Sequence, residues 1–251
     1  MRKIVLFLSI CGRMAAQTPE PPQKVEFEVA SIHPAKEDGD HDSDSDRAWY
    51  RTHNLTLKRL IAIAYDVDMR QILGGPNWID SDAYDIAAKI PTEYASDSRE
   101  KMPKMIQSLL ADRFHLAIHR APLKLSGYAL VLAKKGPKME RSETGKTGSS
   151  TSTQRGHMRA QNVTMEIFAK RLSRNPQVGK LVEDQTGLKD RYNFELEWDV
   201  TNPLTAKADT ASSDRPSIFT ALQDRLGLKL EPAKIQVDAI VVDHAEKPDD
   251  N

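Results

Sequence analysis

Asn54-Leu55-Thr56-Leu57-Lys58-Arg59-Leu60-Ile61-Ala62 returns half a chain later as Asn162-Val163-Thr164-Met165-Glu166-Ile167-Phe168-Ala169, at an offset of 108 that keeps Asn, Thr and the apolar spacing. The same offset sets Tyr84-Asp85-Ile86 over Tyr192-Asn193-Phe194, and an offset of 112 sets Leu110-Ala111-Asp112-Arg113 over Leu222-Gln223-Asp224-Arg225. Matches in this order read as an internal repeat, which constrains the fold before any residue is assigned. In each copy Thr56 or Thr164 is placed to cap an amphipathic helix. Leu57, Leu60, Ile61 and Ala64 recur on its face, and it ends near Asp66 or Ser173. The turn residues Gly74-Gly75-Pro76-Asn77 and Asp184-Gln185-Thr186-Gly187 lead to alternating strands at Tyr84–Ala88 and Tyr192–Trp198. A second helix carries Met105, Ile106, Leu109 and Leu110 in one copy and Ile218, Phe219, Leu222 and Leu226 in the other. It feeds a hairpin, Leu116–Arg120 with Tyr128–Ala133 or Leu228–Glu231 with Val237–Val242, bent at Pro122 and Pro232. A leading strand at Phe27–Ile32 joins the first sheet. The expected fold is α+β: two tandem copies of a helix-strand-helix-hairpin unit, with two helices on one face of a small, mostly antiparallel sheet in each.

The modules so defined span 24–135 and 158–248. Between them, 136–157 reads as a flexible linker, because its Gly, Ser and Thr side chains bury too little apolar surface to order themselves. Thr201 to Arg215 and the acidic run Glu37 to Asp46 read as two further mobile segments. At the other end, Met1-Arg2-Lys3, the apolar run Ile4 to Cys11 and the small residues Ala15-Ala16-Gln17 make 1–17 a secretory signal peptide, followed by a Pro-rich spacer at Thr18 to Pro22. The expected location is periplasmic or secreted. Ile10 stands where a lipoprotein signal needs a small residue, so lipidation of Cys11 is disfavoured. Cys11 is the single cysteine and would leave with the signal, so no disulfide or cysteine metal site is expected. No later apolar run reaches the roughly 20 residues that span a bilayer.

Basic and acidic residues balance at 36 each, which gives no nucleic-acid footprint. Three Trp, six Tyr and six Phe are too few for a base-stacking platform or an aromatic sugar cleft.

Phe27-Glu28-Val29-Ala30-Ser31-Ile32-His33-Pro34, Gly74-Gly75-Pro76-Asn77-Trp78-Ile79, Leu110-Ala111-Asp112-Arg113-Phe114, Asp184-Gln185-Thr186-Gly187-Leu188 and the closing Val241-Val242-Asp243-His244-Ala245-Glu246-Lys247-Pro248 together resemble an uncharacterised family of exported proteins numerous in acidobacteria, a domain of unknown function. Related domains are attached to membrane metallopeptidases of the antibiotic-sensor type. The resemblance therefore implies a sensing or interaction role outside the membrane, although this chain carries no peptidase segment. Each copy is similar, at the level of pattern, to the short N-terminal modules of secretins and TonB-dependent transporters, which are docking units.

Several motifs imitate chemistry. His115 and His119 have the spacing of a helical zinc pair, but Phe114, Leu116 and Ile118 alternate with them as in a strand, where four residues span about 13 Å. Asp40, Asp42, Asp44 and Asp46 resemble the start of a calcium loop that lacks its glycine and its final Glu, so a solvated acidic loop is the simpler reading and weak calcium binding stays open. Ser98-Arg99-Glu100-Lys101 and Lys146-Thr147-Gly148 resemble two penicillin-binding signatures without the third. Gly145-Lys146-Thr147 has Glu140 where a phosphate loop needs glycine. Asn54 and Asn162 are sequons at helix starts, better explained by capping. Arg113 and Arg225 read as halves of local Asp-Arg pairs at a helix end, with anion contacts as the functional alternative. Trp78 reads as an apolar anchor or a ligand platform. No catalytic, cofactor-binding or metal residue is assigned. The expected role is non-catalytic binding of an unknown protein or cell-envelope partner through sheet edges and the groove between the modules. A hydrolase of envelope polymers and a small-molecule sensor with a site between the modules are the alternatives.

Overall fold

The computed structural model describes residues 24–35, 42–143, 148–200 and 215–249. Its regular elements begin with β1 (Val29–Pro34), β2 (Asp42–Ser45), β3 (Trp49–Thr56), α1 (Leu57–Tyr65) and a short 3-10 turn at Met69–Gln71. Then come β4 (Ile72–Gly74), α2 (Trp78–Ser81), β5 (Ala83–Lys89), α3 (Ser98–Arg113) and β6 (Ala117–Leu132). The rest of the chain forms β7 (Glu140–Arg141), β8 (Ser150–Gln154), β9 (His157–Val163), α4 (Met165–Ser173), β10 (Val182–Asp184), β11 (Tyr192–Glu197), α5 (Ile218–Ala221) with a π turn over Leu222–Leu226, and β12 (Leu228–His244). The strands form three four-stranded sheets, ordered β1-β5-β3-β2, β7-β11-β9-β8 and β10-β6-β12-β4. The first two are antiparallel throughout, while β10 and β4 run parallel to their neighbours at the two edges of the central sheet.

This overturns the expected α+β fold of two helix-strand-helix-hairpin units with helices on one sheet face. Strand accounts for 42% and helix for 26% of the described residues, in three sheets with mostly short helices. The expected hairpins do not form. β6 runs unbroken through Pro122, and β12 through Pro232, and the two pair with each other from Leu228 opposite Leu132 to Val242 opposite Ile118. The prolines are tolerated for a geometric reason. Tyr128 donates its N–H outward to the Leu181 carbonyl, so the pair Tyr128/Pro232, and by alternation Pro122/Asp238, are pairs whose N–H groups point away from the partner strand. β10 and β4 cover only the far ends of these strands, so at both prolines the missing N–H faces an open edge. The described part of 136–157, expected as linker, contributes β7 and β8. An edge strand needs one partner only, and the Thr residues of β8 suit it.

The helix starts follow the caps. Thr56 accepts the Arg59 N–H and Thr164 the Ile167 N–H, each at 3.3 Å. Leu57, Leu60, Ile61 and Ala64 of α1 pack with Ile106 and Leu110 of α3, Tyr84 and Ile86 of β5, and Ile240 and Val242 of β12. A second core joins Met165, Phe168 and Leu172 of α4 to Phe194 of β11, Leu222, and Leu130 of β6. Each fully buried Leu, Ile or Phe contributes about 1.5–3 kcal/mol relative to exposure. Gly227, at φ +66, ends the π turn, where a Cβ would meet the Gly136 carbonyl.

Candidate functional site

Where α1 ends, Asp66 turns into the left-handed conformation and leads to Asp68, which caps the 3-10 turn by accepting the Arg70 N–H at 3.0 Å while Gln71 reaches back to the Asp68 N–H. That turn presents Met69. Across from it, the end of α4 and the following loop bring up Ser173, Arg174, Pro176 and Gly179. An open groove of about 890 Å³ lies between the two halves, with Leu55, Ile63, Val67 and Met69 among its lining. Ile63 and Met69 are 38% and 44% exposed, unusual for large apolar side chains in this molecule.

The charges of the groove are largely engaged with one another. Burial opposes the charge on Asp68, but the Arg70 guanidinium, at 2.6 Å from Oδ1 and 2.7 Å from Oδ2, outweighs it, and the carboxyl sits below its ordinary range. Arg70 also donates to the Ser173 carbonyl at 2.6 Å, tying the first half to the second. Arg174 meets Asp66 at 2.9 Å, and Lys170 reaches the same carboxylate at 3.6 Å. The remaining rim cation is Arg59. An apolar floor with a polar, ion-paired rim can hold a ligand or a side chain of a partner. Among the described residues no hydroxyl lining it bonds a carboxylate or imidazole, and no group of three His, Cys, Asp or Glu could hold a metal ion.

Of the residues singled out from sequence for chemistry, Asp42 lines the groove and the others lie elsewhere. His115, at φ +46, approaches Glu246 at 3.3 Å, and His119 approaches Asp243 at 2.9 Å, so the two histidines serve different carboxylates. Asp42 and Asp44 lie on β2. Asp46 accepts the Ala48 and Trp49 N–H groups at 2.7 Å, which holds its carboxyl below the ordinary range, and Asp40 falls outside the described residues. Lys101 pairs with Asp97 at 2.7 Å beside the Tyr94 ring, while Lys146 and Thr147 lie outside the described residues. The local Asp-Arg pairs do not form as read: Arg113 donates to the Ala30 carbonyl at 3.4 Å and Asp112 pairs with Lys24. In the second copy the Asp224 carbonyl accepts from Lys138 at 2.7 Å. Trp78 packs on the first core, edge-on to Tyr84 at 6.5 Å. Asn54 and Asn162 adopt φ of 54° and 55° at matching bulges, their N–H groups held at 2.8 Å by Asp85 and Asn193. Sequence reading expected a groove between the modules but assigned no site residue to it. Its one visible signal was Ile63, an apolar residue off the buried stripe of α1.

The chain belongs to DUF3738, a family of proteins of unknown function, whose model matches residues 58–245. No curated protein and no solved structure matches it. Among the described residues no helix is long and apolar enough to cross a membrane.

Proposed function

We propose that this DUF3738 protein is an exported binding protein that holds its partner, without turning it over, in the groove between its two halves. The observation that carries the reading is the apolar floor: Ile63 and Met69 stand 38% and 44% exposed beside Arg59, Arg70 and Arg174. Solvent-facing apolar surface rimmed by polar groups suits recognition. Asp66 and Asp68 there are engaged by Arg70, Arg174 and Lys170, which leaves them poor candidates for acid-base chemistry. The signal-like stretch 1–17 supports export. The likeness to exported acidobacterial proteins, and to domains attached to antibiotic-sensor-type metallopeptidases, supports a sensing or interaction role outside the cytoplasm.

The test is a photo-crosslinking side chain at Met69 in cells making the protein, with a second at the exposed Lys124 as control. A discrete adduct from position 69, absent from position 124 and lost with Ile63→Asp, is the expected result. No adduct at 69, together with turnover of a peptidoglycan or ester substrate, would overturn the reading. Cell fractionation with sequencing of the mature N-terminus tests export separately, and retention of residues 1–17 in the cytoplasm counts against it.

A further inference from the structure

β6 precedes the mid-chain crossing, yet its end does not lie with the elements before it. Tyr128, Ala129 and Leu130 run beside Val182, Glu183 and Asp184 of β10, and Leu130 is buried in the core of α4 and the π turn. The reverse holds for β12. Its Ile240, Val241 and Val242 run beside Ile72, Leu73 and Gly74 of β4, and Ile240 and Val242 are buried in the core of α1 and α3. Each half therefore lacks a strand that the other half supplies.

Two observations make the halves equivalent units, and two more relate them by a two-fold rotation. The outer sheets have the same strand order. Each carries its bulge at the same place, between Thr52 and Leu55 in β3 and between Ala160 and Val163 in β9, with a left-handed Asn inside it. Along the β6–β12 ladder Leu123 faces Val237 and Leu125 faces Ile235. By the repeat offset of 112, Leu123 is the counterpart of Ile235 and Leu125 of Val237, so the ladder exchanges equivalents symmetrically about Lys124 opposite Gln236. A two-fold between antiparallel strands requires this register. Lastly, Asp66 and Arg174, equivalent at the offset of 108, face each other at 2.9 Å. In a dimer of identical chains that place would hold two like charges.

We infer that the chain is a strand-exchanged dimer carried in one polypeptide. The interaction surface of each half is the unfilled strand position beside β4 or β10, and the partner it fits is a second copy of the same unit. Exchange of an identical element between protomers is a low-cost route to a two-fold dimer, and fusion then frees each copy to diverge at the axis. The groove with its Asp66–Arg174 contact is such a place.

The full chain tests this. In a Cys11→Ser background, a protease site is inserted between Glu143 and Gly148, and cysteine pairs replace Ala129 and Glu183 in one variant and Leu73 and Val241 in another, each pair being directly opposed across the exchanged strands. After oxidation and cleavage of the folded protein, both variants are expected to give fragments joined on a non-reducing denaturing gel. The cut protein without cysteines is expected to elute at the size of the intact chain and to unfold in a single transition. Free fragments on the gel in both variants, or separation of the cut pieces with an independent transition for each, would overturn the exchange. If a cysteine variant fails to fold, the elution and unfolding of the cut parent still decide.

Discussion

Asn54 and Asn162 show how one residue can hold a strand irregularity in place. Both occupy the left-handed region, which costs most side chains about 1–2 kcal/mol and Asn less, and a side-chain oxygen from the neighbouring strand holds each backbone amide. Asn54→Ala is expected to destabilise by about 1 kcal/mol in urea denaturation while Asn54→Gly stays close to the parent; equal losses for both would point away from backbone conformation. Tyr50 offers a pH-dependent check. Burial pushes its hydroxyl from 10.0 up to about 12, and the group has no hydrogen-bond partner among the described residues. The proton is held more tightly in the folded state, so the contribution is intact below about pH 10 and is lost as pH rises from about 10 toward 12. Tyr50→Phe, which deletes the unmet hydroxyl, is expected to be within about 1 kcal/mol of the parent at neutral pH and to lose less stability across that window. The same loss in both proteins would exonerate Tyr50. At the groove, Asp66 and Arg174 are more than half exposed, so a double-mutant cycle with Asp66→Ala and Arg174→Ala is expected to give a coupling of no more than about 1 kcal/mol. At this scale the caps Thr56 and Thr164 were legible because an N-cap is a local rule. The partners of Asp112 and Arg113 were not, since Lys24 and Ala30 lie more than eighty residues away in sequence.

Elements were legible in proportion to their apolar periodicity. α1, α4, β5 and β11 carry clear stripes and appear where the spacing put them. β2, β7 and β8 are short and polar, and β4 and β10 are three residues long, so composition favoured loops. Pro122 and Pro232 suggested bends because proline usually ends a strand, and which side of a strand its nitrogen faces is set by the partner's register. That register makes a sharp contrast. Pro122→Ala is expected to shift stability by less than about 1 kcal/mol, because no ladder bond is at stake. Leu125→Pro, one alternation away at a position whose N–H faces β12, is expected to cost about 3 kcal/mol or more. Comparable effects of the two substitutions in chemical denaturation would refute the assigned pairing.

At the scale of the whole molecule, the repeat in the sequence suggested two separate modules, and the exchange of β6 and β12 was invisible because a repeat gives no sign of whether a strand pairs at home or across. The exchange makes the stability of each half depend on the other's residues. Native-state hydrogen exchange on Leu130→Ala and Ile240→Ala measures that dependence. Leu130 precedes the crossing but is buried with α4, and Ile240 closes the chain but is buried with α1. Loss of protection in α4 from Leu130→Ala and in α1 from Ile240→Ala is the expected outcome, whereas loss confined to the helices of the substituted residue's own half would contradict the interlocked fold.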